Sequence, residues 1–222
     1  MKQHKMSYLS ALIITVVVSL LLLYVVDARL LGERRYLTEE STFAALQKQC
    51  DDLQNIFEPY GIDFYDYLFF DDHTPEDADL DYFETNKTSY VAEIPMEENC
   101  LLTIYVRRNS NGFPLCTVSL TRDECANWED SILIPSQYPV LFEVMAYYSG
   151  GRLSAHELYQ AEMDMYQEAM DQVQSDGKDH VSYYSKEFKG IFVEIGDIGY
   201  GYYCNDSGLY QTEMQYYCPA YC

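Results

Sequence analysis

Three features of the chain predict an α+β protein: an N-terminal membrane-spanning helix, then one domain with an antiparallel sheet packed by three amphipathic or buried helices. Residues 6–26 form twenty-one consecutive positions without a charge. Residues 100–108 and 113–120 alternate apolar and polar side chains, the period of a strand with one buried face. Residues 38–57, 139–149 and 154–176 instead repeat apolar residues every three or four positions, the period of a helix. The boundaries that follow are residues 1–28 as signal anchor or signal peptide, 29–37 as juxtamembrane linker, and 38–222 as an extracytoplasmic domain ending in a Tyr/Cys-rich segment.

As a helix the first segment is about 31 Å long at 1.5 Å per residue, close to the hydrocarbon thickness of a bilayer. Lys2, His4 and Lys5 precede it, and Val26-Asp27-Ala28 offers small residues for cleavage. Secretory apolar regions usually run only about 7–15 residues, so a retained anchor is expected, with secretion after cleavage near Ala28 as the alternative. Arg29, Arg34 and Arg35 follow the segment, so basic flanks do not decide its orientation.

Two lysines and one aspartate precede Arg29, leaving 12 basic and 35 acidic side chains and a formal charge of −23 on the rest of the chain. Such a surface argues against nucleic acid as a partner, because phosphate binding needs basic side chains. It argues equally against the domain lying on anionic lipid. The expected partners are the membrane, through residues 6–26, and another protein.

Thr38 caps the first soluble helix, where Phe43, Leu46, Cys50, Leu53 and Phe57 form one stripe, and Pro59 and Gly61 end it. Packing on a sheet explains this stripe better than two heptads of coiled coil. Residues 62–87 read as a loop with one short helix. Strands are expected at 88–94, 100–108 and 113–120. Joining the apolar faces of the last two requires Leu102 opposite Leu120, Ile104 opposite Val118 and Val106 opposite Cys116, with Ser110-Asn111-Gly112 as the connecting loop.

Residues 139–149 read as a buried helix through Val140, Leu141, Val144, Met145 and Tyr148, stopped at Gly150-Gly151. Ser154 and Glu157 form a capping box for the next helix. Its apolar row is Tyr159, Met163, Tyr166, Met170 and Val173, widened by Leu158, Ala161, Met165 and Ala169, with Glu162, Asp164, Glu168 and Asp171 on the exposed face. Strands at 181–185, 190–196 and 200–204 complete the sheet.

All seven cysteines lie beyond the apolar segment, which makes disulfides reasonable in an exported domain. Their odd number leaves one unpaired. The hairpin register turns Cys116 into the core as the candidate for that thiol and places Cys100 near Cys125. Zinc on Cys204, Cys218 and Cys222 is disfavoured by their wide spacing and the lack of a nearby histidine.

No catalytic residue stands out. His156-Glu157 opens like a metalloprotease helix, but Gln160 replaces the second ligand. His73 and His180 sit in polar surroundings. The best metal candidate is calcium on Asp77, Asp79 and Asp81, whose spacing begins like an EF-hand loop before Tyr82 replaces the turn glycine and Thr88 the final glutamate. Tyrosine is abundant, at 23 residues, and suits either a recognition surface or a half-buried sheet. These readings point to a membrane-anchored extracytoplasmic binding or protein-interaction domain. A pilin-like structural subunit is the alternative, and a secreted hydrolase ranks behind it.

Overall fold

The computed structural model describes residues 39–70, 90–108, 114–190 and 194–218. The apolar leader, the acidic segment holding Asp77, Asp79 and Asp81, His73 and the 110–112 loop all lie outside these residues. None of the described helices is long and apolar enough to cross a membrane. The chain divides into two units, Met1–Lys48 and Gln49–Cys222, and the second holds the sheet.

Helix α1 (Glu39–Phe57) runs across that division. Within the second unit its Cys50, Leu53 and Phe57 are fully buried, as the predicted stripe requires. Gly61 ends the following turn at a φ of 73°, a left-handed conformation that suits glycine. The Phe57 and Phe64 rings then stack at 5.6 Å, bringing the chain round into the sheet.

The sheet comprises β1 (Leu68–Phe70), β2 (Tyr90–Glu97), β3 (Cys100–Arg108), β4 (Pro114–Cys125), β5 (Ser182–Lys189), β6 (Glu194–Cys204) and β7 (Tyr210–Cys218). Helices α2 (Trp128–Ser131), α3 (Pro139–Tyr148) and α4 (Ala155–Asp176) lie between β4 and β5. The spatial order is β1-β2-β3-β4-β7-β6-β5, with every neighbouring pair antiparallel. Two meanders, β1 to β4 and β5 to β7, therefore meet along β4 and β7. This is the predicted α+β arrangement with an antiparallel sheet.

The β3–β4 register is the one the apolar faces demand: Leu102 pairs with Leu120, Ile104 with Val118 and Val106 with Cys116. All six of these side chains are buried. The period of two carries the same face across the seam, where Leu120 meets Met214 and Val118 meets Tyr216. On the opposite face Tyr183, Leu101 and Tyr217 are exposed.

Two strand expectations change. Residues 194–196 and 200–204 belong to the single strand β6, residues 191–193 of the expected strand lie outside the described residues, and β7 is a further strand beyond those the sequence predicts. Glycines at 196, 199 and 201 make β6 look broken, yet each accommodates a tyrosine. Gly196 has a φ of +146°, and a side chain there would meet the Tyr217 carbonyl and the Tyr216 ring. The Tyr203 ring lies where a side chain on Gly201 would stand. The C-terminal tyrosines divide accordingly: Tyr200, Tyr202, Tyr210 and Tyr216 are core residues, whereas Tyr217 is exposed.

Helix α3 buries every residue expected of it, with Phe142 in addition. The capping box at Ser154 and Glu157 is formed in both directions. The inward face of α4 is rotated from the expected row, however. Leu158, Ala161, Met165 and Ala169 are buried, whereas Tyr159, Met163 and Tyr166 are only half-buried. At about 100° per residue, this rotation places Glu162 between Ala169 and Val173 on the buried arc. Glu162 is accordingly 0 % exposed, not on the outer face, and neither carboxylate oxygen has a hydrogen-bond partner.

Burial pushes the pKa of Glu162 well above its ordinary value of 4.5. The folded protein thus holds a proton that the unfolded chain releases above about pH 4.5. Stability from this group is complete below that pH and declines as pH rises toward the elevated folded pKa. We predict that Glu162→Gln stabilises the protein by about 1–3 kcal/mol at pH 8 and by little at pH 4. Urea unfolding of both proteins at the two pH values checks this. An equal difference at both would show that Glu162 does not titrate differently in the folded state.

Candidate functional site

Strand β4 alternates Cys116, Val118, Leu120 and then Arg122 on its buried face, so the period of two carries a cation into the core rim. A bulge follows at once. Arg122 opposes Thr212 and Cys125 opposes Tyr210, so Asp123 and Glu124 share one partner position on β7. Glu124 takes a left-handed φ of 55°, and the Asp123 amide donates to the Asn99 carbonyl at 3.1 Å. Bulges end a ladder and re-aim the chain. Here the chain turns back over Arg122 through α2, Ile132 to Ile134 and the Pro135–Gln137 turn.

Arg122 ties this returning segment to the sheet. Its Nη1 donates to the carbonyls of Asp130 at 3.2 Å and Ile132 at 3.3 Å. Its Nη2 donates to Glu97 Oε2 at 2.5 Å and to the Tyr138 hydroxyl at 2.7 Å. Tyr138 in turn donates to Glu97 Oε1 at 3.3 Å, and the Cys100 thiol lies 3.9 Å from the same hydroxyl. The Tyr200 hydroxyl holds the segment from below, donating to the Leu133 carbonyl at 3.1 Å. Two buried polar atoms remain without a hydrogen-bond partner at this level, Arg122 Nε and Thr212 Oγ1, and they belong to residues directly opposed on β4 and β7.

Above them lies a groove of about 590 Å³ between the returning segment and α4. Trp128, Ile132, Ile134, Met170 and Val173 make apolar walls, with Tyr166 beside them. Gln137, Gln167 and Gln174 stand at its polar parts, and Glu129 and Asp130 make one end acidic. Tyr166 is held by an edge contact with Tyr200 at 5.8 Å between ring centres.

This arrangement offers hydrogen bonds and apolar contact. Burial raises the pKa of Tyr138, which keeps its phenol protonated. Burial likewise raises that of the Cys100 thiol. Of the histidines, His156 is exposed near the start of α4 and His180 Nδ1 faces Asp176 at 3.6 Å. Neither enters the groove. Among the described residues no three His, Cys, Asp or Glu side chains gather as metal ligands. The calcium candidates Asp77, Asp79 and Asp81 fall outside the described segments.

The expected approach of Cys100 to Cys125 does not give a bond: both are buried thiols without a disulfide. The register explains this: the regular β3–β4 ladder pairs Cys100 with Arg122, and beyond the bulge Cys125 opposes Tyr210. Asn205 uses its Oδ1 to accept the amides of Ser207 and Leu209, closing the β6–β7 turn. Sequence reading passed over Arg122 and Trp128. The alternation that made Cys116 a core residue also pointed Arg122 inward, and Trp128 is the sole tryptophan of the chain.

If Arg122 holds the returning segment, Arg122→Ala should cost about 2 kcal/mol in urea unfolding, modest because Glu97 is half exposed. It should also make the chain near Asn127 to Tyr138 the first site of limited proteolysis, with Arg122→Lys intermediate because it keeps one charge and loses the fork. An unchanged midpoint with an unchanged cleavage pattern would show that the segment holds itself. Comparison with protein families, with curated proteins and with solved structures returns no match for this chain.

Proposed function

We propose that this is an extracytoplasmic protein-interaction domain, anchored in a membrane through residues 6–26, that receives an extended polypeptide segment of its partner in the groove over Arg122. The observation carrying this reading is the groove itself: apolar walls around a half-buried guanidinium whose buried Nε has no hydrogen-bond partner. A peptide supplies what such a site lacks, namely carbonyl oxygens for a fixed donor, amides for the glutamines, and apolar side chains for Trp128 and Met170. Charge narrows the partner. Arg122 is already matched by Glu97, Glu129 and Asp130 lie at one end, and the whole chain carries a net charge of −22, so an acidic peptide is repelled.

Trp128 makes the reading testable, because as the single tryptophan it reports on the groove without labelling. The full chain in detergent is titrated with twelve-residue peptides of three classes: neutral with apolar anchors, basic with the same anchors, and acidic. The neutral and basic classes should shift Trp128 emission saturably, and the acidic class should not. Gln167→Phe, which fills the groove from an exposed position, should weaken binding at least tenfold while leaving the unfolding midpoint in place. Emission indifferent to all three classes would overturn the proposal. If copies of the chain instead polymerise and Gln167→Phe does not affect them, the pilin-like alternative takes its place.

A further inference from the structure

We propose that Cys116 and Cys218 form a cross-strand disulfide that locks β4 to β7 when the chain folds in the presence of a disulfide oxidant. The two residues are Cα partners at the end of the seam between the meanders. Directly opposed residues of antiparallel strands lie about 4.5–5.5 Å apart at Cα, inside the 4.4–6.8 Å that a disulfide spans. They occupy the same face, the buried one, where Cys116 is 0 % and Cys218 1 % exposed. The other described cysteines have no such partner: Cys100 opposes Arg122, and both Cys125 and Cys204 oppose Tyr210. Cys50 is on α1. The assignment reverses the sequence expectation, which took Cys116 as the thiol left over.

The structure shows the dithiol form, with the Cys218 thiol 3.4 Å from the Tyr148 carbonyl. Burial, with Cys218 alongside, holds the Cys116 thiol protonated in the closed core. Oxidation therefore belongs to the folding chain, before the core closes. One cysteine thiolate attacks an external disulfide, such as a dithiol oxidase or oxidised glutathione, and releases one thiolate. The second cysteine, deprotonated, attacks that mixed disulfide and releases the other. Two protons and two electrons leave the pair, and the oxidant becomes two thiols. The bond closes a loop of roughly 100 residues, in the range where a cross-link most restricts the unfolded chain.

Reduced, denatured full-length protein is refolded in detergent with a glutathione redox buffer, alkylated without reduction, digested and read by mass spectrometry. The expected product is a peptide pair joined through Cys116 and Cys218 that separates on reduction. Reduction should also lower the melting temperature by about 5 °C or more, and the double variant Cys116→Ala, Cys218→Ala should lose that response. Quantitative alkylation of both cysteines, or either joined predominantly to another cysteine, overturns the proposal whether or not the variant folds. The same mapping on protein taken from its native membrane is a separate arm. A pair that bridges on refolding but is alkylated in the cell upholds this assignment and counts against the extracytoplasmic placement.

Discussion

The pairing of β4 with β7 is the contact on which the rest of this domain depends. Within each meander the paired strands are neighbours in sequence, whereas β4 and β7 are separated by three helices and two strands. Joined antiparallel along the seam, the meanders make a seven-stranded sheet whose buried rows run unbroken from β2 to β6. The seam also sets the special positions of the molecule. It places Arg122 opposite Thr212 beneath the groove and Cys116 opposite Cys218 at the far end. These pairings join residues about ninety to one hundred positions apart in sequence, so their loop entropy must be offset by the burial they complete.

The groove follows from how the seam ends. A strand carrying Arg122 on its buried face cannot continue regularly without burying an uncompensated charge. The bulge and the returning 126–138 segment resolve this, supplying two carbonyls and the Tyr138 hydroxyl while Glu97 balances the charge. What remains is a cleft with one fixed donor and apolar walls. That is the physical basis of our proposal that the domain receives a peptide segment.

Local rules in the sequence were enough for the hairpin register, the buried face of α3 and the capping box of α4, because each is set by neighbours a few positions apart. The failures share a different cause. Strand β7 carries a clean alternation of Tyr210, Thr212, Met214, Tyr216 and Cys218, but a tyrosine-rich composition suits a half-buried sheet and a recognition surface alike and does not mark the strand. Strand β6 looked interrupted because its glycines serve tyrosine rings that pack against them. Glu162 looked solvated because carboxylates usually are, and only the position of α4 on the sheet turns it inward. The candidate site was the least legible part. It is built from a bulge, a long-range pairing and a chain reversal, none of which has a period.

The two meanders form one cooperative unit through β4 and β7. Amide hydrogen exchange of the full chain, followed by mass spectrometry on peptides from each strand, tests it most directly. Strands β4 and β7 should be the slowest segments and exchange together, while β1 and β5 at the sheet edges open first. Rapid exchange of β7 alongside β5, with β4 still protected, would mean that the C-terminal meander opens on its own and that the seam does not hold the domain together.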